Sequence, residues 1–279
     1  MKLDRNQFYR TTDGAYLYYE VHGSGTPLLM MHGWSLSARV YERNLETLSQ
    51  RYQVIAFDYR GCGRSSKGLD GHNTARYAAD ARELAQHLGI GKFFLLGWSL
   101  GVTIALKYVE QFGDGDLLGV ILVDGACDAF ADDPWNRHAL KGFQMDALVD
   151  KFNRLTQNPI QEGYDNAKIW FKDQERFADA IELFAGELAK TPIWISYAIY
   201  NEYMMQDTTP ALRGMDVPVL VIVPAPNIER GKYEAETAKH GEYVVIDAAH
   251  AMFYEKPEEF HAALLGFMDR TLAKRLVSD

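Results

Sequence analysis

A serine flanked by glycines is the candidate nucleophile of this 279-residue chain. Ser99 lies at the centre of the segment Gly97–Gly101, which reads Gly-Trp-Ser-Leu-Gly. A buried-strand pattern, residues 92–96, comes directly before it, and a helical pattern, residues 102–112, comes directly after it. A serine at such a turn has a strained backbone that exposes its hydroxyl, and the helix N-terminus favours developing negative charge. The segment therefore predicts a nucleophile elbow, the turn that presents an attacking serine in acyl transfer.

A serine hydroxyl needs a general base, and His250 is the best placed of the eight histidines. It lies in a turn after the last apolar strand pattern and before a helix. Nucleophile and base on loops at one sheet edge are what general-base activation requires. Six other histidines lie in polar loops or on helices, where a structural role is the ordinary interpretation. They are His22, His72, His87, His138, His240 and His261.

The tetrahedral intermediate of acyl transfer needs two N–H donors. One is the backbone N–H of Leu100, the residue after the nucleophile. The other is expected from Trp34, in the segment Met31–Trp34 after the first parallel-strand pattern. We expect His32, in the same segment, to orient the loop by hydrogen bonds rather than to take part in the reaction.

Two kinds of apolar segment position these residues. Short continuous apolar runs favour parallel strands buried on both faces, and they occur at residues 27–31, 53–57, 93–96, 118–123, 217–223 and 243–246. Helical patterns alternate with them, at residues 38–49, 74–88, 102–112, 233–240 and 257–274. Ahead of both, residues 8–21 alternate around an Asp-Gly turn and predict an antiparallel hairpin. The order predicts a doubly wound, mostly parallel eight-stranded sheet.

The connection from residue 125 to 216 has no strand pattern and predicts a helical cap. A connection of this length inside a compact domain is not structureless, and open α/β sheets bind ligands beyond the carboxyl ends of their strands. We therefore expect a core of residues 1–124 and 217–279 with residues 125–216 as a cap over that edge.

Large apolar side chains in the predicted cap suggest the roof of an apolar pocket. They are Trp135, Phe143, Met145, Trp170, Phe171, Phe177, Phe184, Trp194, Tyr197, Tyr200, Tyr203, Met204 and Met205. The side chains expected to bind substrate are Trp34, Trp98, Trp135, Trp194 and Tyr197.

The composition argues for a protein that acts on small molecules. With 29 Lys and Arg against 38 Asp and Glu the net charge is -9, which disfavours binding to nucleic acid or anionic membranes. The first residues have no apolar segment typical of a signal peptide, and no stretch approaches the ~18 apolar residues of a membrane span, so we expect a cytoplasmic location. Cys62 and Cys127 have neither disulfide nor metal spacing. We expect free thiols and no metal or cofactor.

Taken together, these segments resemble the α/β-hydrolase superfamily. They are His32–Trp34, Asp58–Ser66, Gly97–Gly101, and Ala249–His250 ahead of Pro257–Phe260. The resemblance covers nearly the whole chain outside the cap. It implies a hydrolase of esters, lactones, thioesters or amides with a Ser-His-acid triad. A serine nucleophile, rather than an aspartate, argues against the dehalogenase and epoxide hydrolase branches.

The acid of the triad departs from the commonest pattern of this superfamily. An aspartate usually follows the strand at residues 217–223, but Asn227 stands there. Asparagine does not stabilise an imidazolium, and an Asp-to-Asn change in a serine protease triad costs about 10⁴ in turnover. Asp124, at the end of the strand before the cap, is the preferred acid because some members carry theirs there. Asn227 as a neutral orienter, Glu229 and Asp128 are the alternatives.

Three functions fit this pattern. The first is cleavage of a carboxylic ester or lactone of a small apolar, aromatic or alkyl substrate through an acyl-enzyme. The second is a cofactor-independent dioxygenase of the type that cleaves 3-hydroxy-4-quinolones with a His-Asp base. The short Pro224–Asn227 loop and an acid after the sixth strand resemble that type, although it has histidine where this chain has Leu100. The third is a non-catalytic binding protein on the same fold.

Overall fold

The computed structural model describes residues 7–138, 141–142 and 144–278, and the strands in this part of the chain form one eight-stranded sheet. They are β1 (Gln7–Arg10), β2 (Tyr16–His22), β3 (Pro27–Met31), β4 (Gln53–Phe57), β5 (Phe93–Trp98), β6 (Leu117–Val123), β7 (Val219–Pro224) and β8 (Gly241–Ile246). Their spatial order is β1-β2-β4-β3-β5-β6-β7-β8. The pairs β1–β2 and β2–β4 are antiparallel, and the other neighbours are parallel. The predicted mostly parallel sheet with an antiparallel opening is confirmed.

The central strands are buried on both faces. Every residue of β5, β6 and β7 is buried, which explains why their sequences are continuous apolar runs rather than alternating ones. β8 forms one edge of the sheet, opposite β1, and its first three residues are exposed. Trp98 and Val123 are register partners at the carboxyl ends of β5 and β6. The residues that follow these two strands, Ser99 and Asp124, therefore leave the sheet side by side.

Helices pack on the sheet and also fill the connection between β6 and β7. They are α1 (Glu42–Ser49), α2 (Thr74–His87), α3 (Leu100–Phe112), α4 (Met145–Gln157), α5 (Pro159–Ile169), α6 (Ala178–Leu188), α7 (Ile193–Met204), α8 (Thr209–Gly214), α9 (Ile228–Thr237), α10 (Met252–Glu255) and α11 (Pro257–Ser278). The predicted helix over residues 38–49 is divided into a 3₁₀ turn, Ala38–Tyr41, and α1.

The helix predicted over residues 233–240 begins earlier, at Ile228, and ends earlier, at Thr237. Gly231, a weak helix former, lies in its first turn. The role of this glycine is close packing: a Cβ added there would lie 2.6 Å from Cγ2 of Val223 on β7. The glycine therefore lets α9 approach the sheet.

Helices α4–α8 form the segment that we call the insertion, residues 125–216. An isolated antiparallel bridge between Asp128 and Asp207 closes its base. Its contacts with the core include the hydrogen bond from Trp34 Nε1 to the carbonyl of Ser196, at 2.9 Å. Phe143, one of the aromatic residues assigned to the predicted cap, lies outside the described residues. The division of the chain into a core and a cap domain at these boundaries stays a prediction.

Two further features are the character of the described helices and the state of the two cysteines. Among the described helices, none combines the length and apolar character needed to cross a membrane. Cys62 and Cys127 are both buried and free.

Candidate active site

Ser99 occupies a strained turn between β5 and α3. Its φ and ψ are 57° and −119°, a conformation that a residue with a side chain rarely adopts. The two glycines around it allow the strand and helix to touch. A Cβ on Gly97 would lie 2.0 Å from the carbonyl oxygen of Gly101, and a Cβ on Gly101 would lie 2.6 Å from that of Met31. The GWSLG segment thus has the geometry of a nucleophile elbow.

His250 lies in the turn between β8 and α10. Its Nδ1 is 2.6 Å from Oδ2 of Asp124. The indole of Trp98 holds the backbone of this turn, because its Nε1 donates to the His250 carbonyl at 3.0 Å and the two rings lie 4.9 Å apart. With Nδ1 bound to a carboxylate, Nε2 is the ring nitrogen left to exchange a proton with a substrate or a serine.

Asp124 also leaves its strand in an unusual conformation, with φ 42°. Its backbone N–H donates to Ile222 on β7. While Oδ2 faces His250, Oδ1 accepts hydrogen bonds from Asn227 Nδ2, at 2.8 Å, and from the buried guanidinium of Arg230. Burial raises the pKa of Asp124, but the charges of Arg230 and His250 and the hydrogen bonds with His250 and Asn227 lower it to about 2. The carboxylate is therefore ionised at neutral pH.

The other candidates for the acid lie elsewhere. Asn227 takes part as a donor to Asp124, rather than as a partner of the histidine. Glu229 is exposed on α9. Asp128 accepts from the backbone N–H groups of Phe130 and Ala131 and so closes a local turn. Of the four candidates, Asp124 is the one that the structure brings to His250.

The loop after β3 passes beside the serine. A Cβ on Gly33 would lie 3.1 Å from the ring of Trp98 and 3.4 Å from Cβ of Ser99, so a larger residue would push the loop away. This places the Trp34 backbone close to Ser99, while Leu100 begins α3. The positions suit the two oxyanion donors that the sequence predicts.

His32 orients the loop after β3 through its ring nitrogens. The Tyr59 backbone N–H donates to its Nε2 at 3.2 Å, and its Nδ1 lies 2.8 Å from the Gly33 carbonyl. Complete burial lowers the pKa of His32 to about 4, so the ring is neutral. These contacts fit the structural role expected for it.

A cavity of about 1140 Å³ opens above these residues, and its lining includes Ser99, Asp124 and His250. Two of the five predicted substrate-binding side chains, Trp34 and Trp98, also line it. From the insertion, the aromatic residues that line it are Trp170, Phe171, Tyr200 and Tyr203. All four belong to the apolar set of the predicted cap.

The other three predicted substrate-binding residues are absent from the described lining of the cavity. Trp135 stacks on Tyr233, with ring centroids 4.3 Å apart. Trp194 is 43% exposed beside His72, and Tyr197 packs against Phe152. Trp194 and Tyr197 lie on α7, so their direction depends on how that helix is rotated, whereas Trp135 lies in a turn before α4. A list of aromatic residues reveals neither.

Sequence reasoning missed many of the polar residues in the lining, among them Lys151, His138 and Arg230. Arg230 stands three residues after Asn227, a helical spacing that places both on one face. His138 was expected in a polar loop, but burial and nearby positive charges, led by Arg230, lower its pKa to about 4. Nothing in the local sequence separates these residues from surface cations. Within the described ranges, no group of three or more His, Cys, Asp or Glu side chains is arranged to hold a metal ion.

The sequence model of the alpha/beta hydrolase fold family matches residues 26–257. The chain belongs to the α/β-hydrolase family. The predictions of the fold and of an enzyme of this family are confirmed.

Relatives of this α/β-hydrolase differ in how much of it they match. A non-heme haloperoxidase from Rhodococcus erythropolis is 38% identical over 42% of this chain and 43% of its own. A bifunctional esterase/perhydrolase from Acinetobacter calcoaceticus is 25% identical over 92% of this chain and 98% of its own. Among solved structures, an esterase from Exiguobacterium antarcticum superposes with a TM-score of 0.87 at 23% identity, over 95% of this chain and 100% of its own. At that identity the superposition supports the fold alone.

Proposed function

We propose that this α/β-hydrolase cleaves a carboxylic ester or lactone through an acyl-enzyme. The observation that carries the proposal is the 2.6 Å contact between His250 Nδ1 and Asp124 Oδ2 at a cavity that Ser99 also lines. An ionised carboxylate beside the imidazole stabilises the imidazolium that forms when the histidine takes the serine proton. The names of the esterase/perhydrolase relative and the esterase neighbour agree with this chemistry.

The proposed reaction has two halves. Ser99 Oγ bonds to the carbonyl carbon while His250 takes the hydroxyl proton, and the backbone N–H groups of Trp34 and Leu100 hold the oxyanion. Collapse of this intermediate breaks the ester bond, and the departing alkoxide takes the proton from His250. Water then attacks the acyl-enzyme by the same route, releases the acid and restores the serine.

The lining of the cavity supports a substrate with an aromatic ring or an alkyl chain. The rings of Trp34 and Tyr200 lie 5.1 Å apart edge to face, and Trp170 lies 5.9 Å from the ring of His250. Aromatic faces of this kind bind apolar groups and exclude water from the carbonyl. In this proposal the insertion, residues 125–216, acts as the cap of the site.

The deciding experiment measures proton release and oxygen uptake side by side. The panel contains aryl and alkyl esters, lactones and 3-hydroxy-4-quinolones, each with the wild type and Ser99→Ala. We expect acid release without oxygen uptake, and a loss of about 10⁴-fold or more in the variant. Oxygen uptake that survives the substitution would instead establish the dioxygenase, which uses the His250–Asp124 pair without acylating the serine. Absence of turnover with stoichiometric binding would favour the non-catalytic protein.

Perhydrolysis is a second candidate activity of the same site. The haloperoxidase and esterase/perhydrolase relatives favour it. Hydrogen peroxide would replace water as the nucleophile on the acyl-enzyme, giving a peracid and regenerating Ser99. The test is peracid formation from an ester or short carboxylic acid and hydrogen peroxide. The activity should disappear in Ser99→Ala together with hydrolysis, and peracid formation that survives would reject a shared acyl-enzyme.

A further inference from the structure

A lysine on α4, Lys151, lies largely buried above the loop after β3 that carries Trp34. The side chain of Lys151 is 14% exposed and lines the catalytic cavity. Its Nζ lies 4.8 Å from the centroid of the Trp34 ring and 5.3 Å from that of Tyr200. Aromatic faces attract a cation but satisfy none of its hydrogen bonds to an anion. Lysine is seldom buried without a charged partner, so the nature of that partner matters.

The nearest carboxylate to this ammonium is committed to other groups. Glu162 lies 3.9 Å from Lys151 Nζ, but its Oε2 accepts from Arg154 Nε at 3.0 Å and its Oε1 from Asn166 Nδ2 at 3.1 Å. Lys151 and the largely exposed Arg154 thus share one buried anion, so Glu162 does not neutralise Lys151 alone. Among the described contacts of Lys151, the one hydrogen bond goes to the neutral Asn166 Oδ1, at 2.6 Å. An ammonium has three donors, so two are available to a ligand.

The ammonium is charged under ordinary conditions. Burial lowers the pKa of Lys151 to about 8, with Glu162 raising it and Arg154 lowering it. The acidic lining residues Asp150 and Asp165 are exposed, where water and salt weaken their effect on a buried charge. A buried, partly satisfied cation in a substrate cavity is a binding point for an anion.

Trp34 connects this cation to the reaction. Its backbone belongs to the loop beside Ser99, and its ring lies under Lys151 Nζ. A single small molecule can therefore place a carbonyl at the serine and a charged group at the lysine. The two remaining donors of one ammonium match the two oxygens of a carboxylate.

We propose that Lys151 binds a free carboxylate of the substrate, so that the preferred substrate is an ester or lactone that carries a second, anionic group. This inference rests on the proposed hydrolase function, since it specifies the substrate class of the same site. Lys151 acts as a specificity-determining residue, and Asn166 and Glu162 hold it in place.

The experiment compares matched anionic and neutral substrates. The anionic probes are the 4-nitrophenyl monoesters of glutaric, adipic and pimelic acids, and each neutral partner has its free carboxylate converted to a methyl ester. The readout is the ratio of kcat/KM between the two members of a pair, after subtraction of the uncatalysed rate. The ratio isolates recognition of the charge, because a general loss of activity lowers both values.

The variants are Lys151→Met, Lys151→Arg and the control Lys168→Met. Lys168 also lies over an aromatic ring, 5.6 Å from Tyr164, but it is absent from the described cavity lining. The wild type should prefer the anionic member. Lys151→Met should lower that preference by about 10- to 100-fold, the worth of a charged hydrogen bond, mainly through KM. Lys151→Arg should keep most of it, and Lys168→Met all of it.

A wild-type preference for neutral esters, or a ratio unchanged in Lys151→Met, would overturn the proposal. Failure of the hydrolase function would look different, because neither ester would be cleaved. A binding measurement then replaces the rates: monomethyl adipate is titrated by calorimetry into Ser99→Ala with and without Lys151→Met. We expect Kd to rise about 10-fold or more with the second substitution, and an equal Kd would reject the site.

Discussion

The cavity has a floor, formed by residues at the carboxyl edge of the sheet, and a roof, formed by helices of the insertion. The residues of the two are positioned by different means. On the floor, Ser99 and Asp124 follow adjacent parallel strands, and both have positive φ values held by the backbone around them. On the roof, Lys151 and Tyr200 come from different helices of the insertion and meet through side-chain contacts. The floor depends on close backbone approaches that accept almost no substitution, whereas the roof depends on the choice of side chains.

This difference separates chemistry from specificity. A strand end fixes a nucleophile or an acid to within a fraction of an ångström because its neighbours in the sheet are fixed by hydrogen bonds. A helix of the insertion can exchange a side chain without moving the floor. Substitutions on the floor should therefore abolish turnover of all substrates, and substitutions on the roof should alter the choice among them.

The largest expected effect is that of Asp124→Asn on the floor. An amide cannot stabilise the imidazolium of His250, so kcat for ester hydrolysis should fall by about 10⁴-fold. Steady-state kinetics with a neutral 4-nitrophenyl ester measures it. The matched control is Asp128→Asn, which removes a charge from a turn at the start of the insertion and should keep kcat within a few-fold. Similar losses in both variants would mean that Asp124 is not the partner of the histidine.

Arg230→Met tests how the floor holds its acid. It leaves the buried Asp124 carboxylate without its cationic partner, which should reduce the free energy of unfolding by about 3–5 kcal/mol in urea titrations. Loss of a positive charge beside the pair should also move the acid limb of the kcat/KM profile to higher pH. Arg230→Lys, which keeps the charge, should leave that limb in place; if both variants behave alike, Arg230 has only a packing role.

Two buried glutamates should respond to pH in opposite directions. Burial, with a smaller contribution from Asp124, raises the pKa of Glu234 on α9 from 4.5 to about 7, against the effect of Arg230. The stability associated with its protonated form is present below pH 4.5 and is lost as the pH rises through 7. Glu234→Gln should therefore gain about 2 kcal/mol on the wild type between pH 5 and 8.

Glu187 on α6 is the second buried glutamate, and it lies in the insertion. Burial raises its pKa, but hydrogen bonds from Lys190 and Ser37 and the charges of Lys190 and Arg39 outweigh burial, so that its pKa lies below 4.5. Its stabilising contribution is present above pH 4.5 and is lost as the pH falls through the lower, folded-state value. Glu187→Gln should be less stable than the wild type at pH 7, and the difference should shrink in acid. Parallel pH profiles of the two variants, from urea unfolding at each pH, would contradict the assignment.

The smallest expected effect is that of Gly186→Ala in the insertion. Gly186 lies inside α6, and an added Cβ would meet no atom within 4 Å. Alanine should raise the free energy of unfolding by about 0.5–1 kcal/mol, because glycine is the poorer helix former. Thermal unfolding measures the gain, and kcat for neutral esters should not change. Destabilisation would show that the insertion is as intolerant of substitution as the floor, where a Cβ added at Gly97 would lie 2.0 Å from the carbonyl oxygen of Gly101.

The sequence predicted the sheet because its signals are local. Buried parallel strands appear as short apolar runs, and the boundaries agree with the structure to within about two residues at most ends. The GWSLG segment likewise lies between a recognisable strand pattern and a recognisable helix pattern, so the elbow at Ser99 could be predicted. The start of α9 was predicted too late, at residue 233 rather than Ile228, and Gly231 within its first turn makes a close contact with β7 that a helix propensity does not represent.

The residues of the candidate site also divide into those with a local sequence signal and those without one. Ser99 and His250 stand at turns that follow recognisable strands, and the sequence alone singled them out. Asp124 was the preferred one of four candidates for the acid, and its contact with His250 became visible only in the structure. Trp135, Trp194 and Tyr197 were chosen by residue type, and the structure places them away from the described lining of the cavity.

By itself, the sequence determined the fold, the strained serine turn and the histidine at the same sheet edge, because strand and helix patterns encode backbone geometry over a few residues. Only the tertiary structure decided that Asp124 faces His250 with Arg230 behind it, and that Lys151 lies over Trp34. Those contacts join residues more than 100 positions apart in sequence. They depend on helix rotation and side-chain packing, which no local pattern records.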